Sequence, residues 1–153
     1  MLIKDMDTQA KKKVTNLSGP LMVSRGKVHR LEELPGCCAE DEDGNLLSAI
    51  FYHVRNGECE IVSLESRTMN IGAGTRLIEA VIARARAEGW ARVWLITSND
   101  NTKAVRFYQK RGFDLKAVHR DAITEARKLK PSIPLIGNDG IPIRHELELE
   151  YLL

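Results

Sequence analysis

Nothing in this chain marks it as a disulfide scaffold, a zinc finger or a membrane protein. Its 153 residues include only three cysteines, Cys37, Cys38 and Cys59. An odd number with two adjacent makes a poor pairing framework, and none has a partner cysteine or histidine at zinc-ligand spacing. The expected state is three small buried thiols in a reducing compartment, with no metal. No window approaches the apolar length of a membrane span, and the N-terminus lacks the apolar stretch of a signal peptide. A cytoplasmic protein with no membrane partner is therefore expected. The net charge is only +2, and its basic residues are scattered, which argues against a nucleic-acid partner. Lys11-Lys12-Lys13 is the one tight basic run and reads as solvated. Repeats and low-complexity tracts are also missing.

What is present is an ordinary globular mixture, 43% hydrophobic and 29% charged, long enough for one domain with a real core. Residues 1–18 are polar and weakly patterned and are expected as a flexible N-terminal segment. The domain proper is expected over 19–153. Leu21 to Val28 reads as one short strand, and Arg30 to Leu34 as a turn of helix before Pro35-Gly36. Asp43-Gly44-Asn45 and Asn56-Gly57 each separate apolar runs, and such residues tolerate the positive φ of hairpin turns. They predict an antiparallel three-stranded meander ending near Leu64. Leu77, Ile78, Val81, Ile82 and Ala85 fall on one helical face, and Gly89 sits where that helix should stop. Val93 to Ile96 reads as a strand covered on both faces. A second helix is predicted from about Thr102 to Arg111, capped by Asp100 or Asn101. Asp114 to His119 follows as a strand, Asp121 to Leu129 as a short helix, and Pro131 to Pro142 as a loop. In the last strand, Glu146, Glu148 and Glu150 alternate with Leu147 and Leu149. That acidic face is expected to be a solvated outer one; bordering a cleft instead, it would favour a cationic acceptor.

Between the meander and the first long helix lies Met69-Asn70-Ile71-Gly72-Ala73-Gly74-Thr75. Glycines there let backbone approach a ligand, and a helix start offers bare N–H groups with the positive dipole end. That suits a phosphate or pyrophosphate. A plain tight turn would look the same. The sequence carries no Walker loop and no complete dinucleotide fingerprint.

One strand later comes Asn101-Thr102-Lys103-Ala104-Val105-Arg106-Phe107-Tyr108-Gln109-Lys110-Arg111-Gly112-Phe113. This segment closely resembles the Asn-x-x-Ala-x-x-Phe-Tyr-x-Lys-x-Gly-Phe segment of GNAT acetyltransferases, and the glycine turn resembles the same family's Gly-x-Gly/Ala motif. Met69-Asn70 departs from the Arg/Gln-x-x-Gly pattern at the start of that motif. The likeness spans about residues 36–119. It implies a single-domain α/β GNAT fold: a mixed twisted sheet of six to seven strands with an antiparallel meander and a central βαβ unit. It also implies acetyl-CoA as co-substrate and a small-molecule or peptide amine as acceptor, with homodimers common among relatives. Carried over residue by residue, it makes Tyr108 the general acid toward the coenzyme A sulfur and puts main-chain donors near Leu64 on the acyl carbonyl. Residues 69–75 with Asn101 and Lys103 would hold the cofactor. Glu60 is the preferred general base; Glu65, His119 and His145 are the other candidates, and an ion pair is the structural alternative. The implied activity is direct transfer of an acetyl group to a primary amine. The alternative is a non-catalytic acyl-CoA-binding module of the same fold.

Overall fold

The computed structural model describes residues 1–67 and 71–153. In chain order the first elements are β1 (Leu2–Asp5), α1 (Thr8–Ser18), β2 (Leu21–Ser24), β3 (Lys27–Arg30), β4 (Gly36–Glu40), β5 (Leu46–Arg55) and β6 (Glu58–Ser66). There follow α2 (Ala73–Glu88), β7 (Arg92–Ser98), α3 (Thr102–Lys110), β8 (Asp114–His119), α4 (Ala122–Leu129) and β9 (Glu146–Leu152). Among the described residues, seven strands belong to a mixed main sheet, and β2 pairs with β3 alone. The chain forms two compact units: residues 1–22 with 29–93 and 153, and residues 23–28 with 94–152.

In the first unit the strand order is β1-β4-β5-β6, every neighbouring pair antiparallel. The meander expected from the sequence is there, and its second turn shows why. Asn56 and Gly57 both take positive φ, 53° and 71°, the combination a two-residue hairpin turn requires. At the first turn the Asp41 carboxylate accepts the N–H groups of Asp43 and Asn45 at 2.9 and 2.8 Å, closing the loop locally.

Residues 1–18 do not read as structure in the sequence, yet they form β1 and α1. Asp7 caps the helix by accepting the Ala10 N–H at 2.8 Å. β1 is held by pairing with β4, a tertiary contact that no local pattern announces. Val14 from α1 joins Met6, Leu31, Leu34, Cys38, Ala49, Phe51 and Val62 in one buried cluster. Helix α2 packs on β4, β5 and β6 through Leu77, Ile78, Val81, Ile82 and Ala85, all buried as the helical spacing predicted. Each of the larger of these side chains contributes roughly 1.5–3 kcal/mol on burial.

In the second unit the order is β7-β9-β8, with β8 and β9 antiparallel. Leu21 to Val28 is not one strand. Arg25 and Gly26, at φ 50° and 76°, fold it into the hairpin of β2 and β3. The glutamate-rich last strand also departs from expectation. Glu146 and Glu148 are 1% and 7% exposed, so the acidic face is not a solvated outer one. Arg25 donates to Glu146 through its backbone N–H and guanidinium at 3.2 and 2.9 Å. His119 Nε2 lies 2.9 Å from a Glu148 oxygen. A buried carboxylate needs such a partner, and these supply it.

Candidate active site

Strand β6 carries Glu60 and Leu64. Phe51 pairs with Ser63, but Tyr52, the next residue, pairs with Ile61. Val62 is therefore an extra residue on β6. A bulge of this kind bends its strand and sharpens the local twist, and here it falls between Glu60 and Leu64. Beyond the strand, Gly72 adopts φ 81° and ψ 4° and opens α2 with no side-chain cap of its own. The first intrahelical bond runs from the Arg76 N–H to the Gly72 carbonyl at 3.0 Å. A Cβ at Gly72 would meet nothing within 4 Å, so the glycine answers to the left-handed backbone rather than to crowding. Ala73 and Gly74 are buried, Thr75 is half-buried and Ile71 is exposed. Met69 and Asn70 lie outside the described residues.

The second unit holds the other predicted residues. Asn101 caps α3, its side-chain oxygen accepting the Ala104 N–H at 3.2 Å. Lys103 is exposed in the first turn of that helix. Tyr108 is 7% exposed, its ring edge-on to Phe107 at 5.1 Å and to Phe113 at 5.3 Å. Burial pushes its phenol well above the ordinary tyrosine range, so it stays protonated at neutral pH. A packing role is real, since the ring is wedged between two aromatics; the phenol also keeps the O–H that a donor role requires.

Glu60 is 5% exposed, and its carboxylate faces the imidazole of His29, Nε2 to Oε1 at 3.7 Å. The ring of His53 stands edge-on to His29 at 5.1 Å. Sequence reasoning missed both histidines and weighed His119 and His145 instead. Those two have structural employment: His119 with Glu148, and His145 as acceptor, through Nδ1, of the Asp121 N–H at 2.9 Å. Glu65 retains solvent contact on β6, although the apolar surroundings raise its carboxyl above the usual range. Asp100 went unnoticed except as a cap. It is a buried acceptor for Ser98 and Asn138.

The bulged strand β6, the glycine-opened helix α2 and, one strand later, the Asn-capped Phe-Tyr helix α3 belong to a mixed α/β fold. Residues 16–113 match the model of the Acetyltransferase (GNAT) family, and the chain belongs to that family. It is 41% identical over 128 residues to the uncharacterized protein YdhI of Bacillus subtilis (strain 168), covering 84% of this chain and 80% of the relative. Its fold matches an IAA acetyltransferase from Bacillus cereus ATCC 14579 with a TM-score of 0.78 at 18% identity, over 99% of both chains. A Bacillus subtilis acetyltransferase solved in complex with CoA matches with a TM-score of 0.68 at 25% identity, over 80% of this chain and 79% of that one.

Proposed function

We propose that the chain moves an acetyl group from acetyl-CoA to a primary amine by direct transfer within a ternary complex. The observation that carries this reading is Gly72, left-handed and with no side-chain cap hydrogen bond at the start of α2, the element that follows the Glu60-bearing strand β6 in chain order. Family membership adds weight, because a similar structure was solved with CoA. In this reading the pyrophosphate rests on the N–H groups that open α2, within the turn Met69 to Gly74 and Thr75. Asn101 and Lys103 add contacts from α3, and main-chain donors near Leu64 hold the acyl carbonyl. Such a donor commonly lowers the barrier by about 3 kcal/mol.

The chemistry then runs without a covalent enzyme intermediate. Glu60 accepts a proton from the ammonium, and the neutral amine attacks the thioester carbon. The tetrahedral oxyanion collapses, the carbon–sulfur bond breaks, and the leaving thiolate takes the Tyr108 proton, while the second proton shed by the attacking nitrogen restores the Tyr108 phenol directly or through water. Cys59, the thiol on β6, is fully buried. Burial, and then the Glu60 charge, push it up to about 12, which favours direct transfer over a thiol nucleophile. The acceptor is proposed as a small-molecule or peptide amine. A cytoplasmic homodimer remains part of the proposal; among the described residues no helix is long and apolar enough to cross a membrane.

Release of free coenzyme A thiol, followed across a panel of amines, tests the enzyme reading. Turnover with at least one amine, abolished by Glu60→Gln, is expected. Thermal stabilisation by acetyl-CoA with no coenzyme A thiol released in the presence of any amine would leave the binding-module alternative instead.

A further inference from the structure

We propose that His29, His53 and Glu60 form a binding site for one divalent transition-metal ion of the zinc class. The three donors come from three segments of the first unit: β3, β5 and β6. His53 and Glu60 are direct cross-strand partners, so their side chains leave the sheet on one face. His29 brings the third donor against them, its Nε2 3.7 Å from a Glu60 oxygen. One ligand atom from each residue lies within 4.8 Å of the others. His29 and Glu60 are 3% and 5% exposed, while the half-buried His53 leaves a way in for an ion.

The donor set selects the ion. Two imidazoles and one carboxylate are a known three-ligand set for zinc, with a fourth position left for water. Magnesium and calcium want oxygen ligands throughout. At zinc bond lengths of about 2.0–2.2 Å, tetrahedral ligand atoms stand about 3.4 Å apart. The His29–Glu60 separation of 3.7 Å is already close to that. With the outer limit at 4.8 Å, no pair needs to draw in by more than about 1.4 Å. A dication also offsets the cost of a carboxylate held away from water.

The ion would not be a cofactor. Acyl transfer to an amine proceeds without a Lewis acid, and an ion on Glu60 withdraws the carboxylate that accepts the amine proton. Binding therefore inhibits. That consequence rests on the function proposed above; the site does not.

The test uses the full chain freed of metal by chelation, titrated with Zn²⁺ against a chromophoric zinc chelator, with Co²⁺ as a second, spectroscopic probe. One equivalent should bind, and His53→Ala and Glu60→Gln should each weaken it at least tenfold. Metal-free melting curves check that both variants fold; His53 is the more exposed position and the safer one to change. Absence of stoichiometric binding overturns the site. So does binding that survives within twofold in both folded variants, since the ion is then held elsewhere. With acetyl-CoA and an accepted amine, Zn²⁺ should suppress wild-type turnover and chelator should restore it. Tight binding with unchanged turnover keeps the site and removes Glu60 from the reaction. Conversely, an inactive Glu60→Gln in a protein that binds no zinc keeps the base and removes the site.

Discussion

Asp100 accepts both the backbone N–H and the side-chain amide of Asn138, 38 residues further along, each at 3.0 Å. The Ser98 hydroxyl supplies another bond to the same carboxylate. Next to it, the Asn99 side chain accepts the N–H groups of Arg144 and His145 at 2.9 Å and donates to the Pro142 carbonyl at 2.9 Å. The Pro/Gly-rich loop before β9 is thus tied down at several points to the residues that precede α3.

Stability should fall in acid partly through Asp100. Burial works to raise its pKa, but the hydrogen bonds from Ser98 and Asn138 outweigh that, and the carboxyl sits below the usual range. A folded pKa below the unfolded value of about 3.9 adds stability that is complete above that value. The contribution disappears as pH falls through the folded pKa. Asp100→Asn should cost about 1–3 kcal/mol at neutral pH and flatten the acid limb, read by urea denaturation at a series of pH values. An unaltered acid limb would exonerate this carboxylate.

Gly137 should prove inseparable from Asp100. A Cβ there would overlap the Asp100 carboxylate and press on Ile143. Gly137→Ala is therefore expected to lose about 1–3 kcal/mol. Combined with Asp100→Ala, the loss should be smaller than the sum of the two, because the obstructing group is gone. Strict additivity in a double-mutant cycle would refute the steric account.

The three thiols should be inert in the native protein. Cys37, Cys38 and Cys59 are 8%, 1% and 0% exposed. Burial pushes Cys37 up to about 11 and Cys59 to about 12, and raises Cys38. An aromatic disulfide reagent at neutral pH should count no fast thiol when folded and three in guanidinium. A rapid equivalent from the native chain would contradict this.

Tyr108→Phe separates the donor role from the packing role. The ring contacts with Phe107 and Phe113 survive the change, so melting should shift little. Turnover should fall by about 10²-fold or more. Activity within a few-fold of wild type would leave Tyr108 as a core aromatic only.

Legibility followed the range of the interaction. Asn56-Gly57 is readable because its conformational demand is met within two residues. The α2 face is readable because its buried positions recur every turn, and the Asn101 to Phe113 segment because its spacing is local. The β2–β3 hairpin was missed because Arg25 gives no turn signal, although it occupies positive φ. His29, His53 and Glu60 were not grouped because hairpin and sheet pairing, not periodicity, assemble them. Asp100 looked like a cap, and only the returning loop reveals its other work.

The supernumerary residue at Val62 also governs parity. Side chains on a strand alternate, so one residue more on β6 than on β5 reverses the in-and-out count for everything beyond it, Leu64 included. Deleting Val62 itself should therefore be the mildest one-residue deletion in β6: the bulge closes, Ser63 stays opposite Phe51 and Leu64 opposite Ile50, and their side chains keep the faces they now hold. What is lost is the bend and the added twist between Glu60 and Leu64.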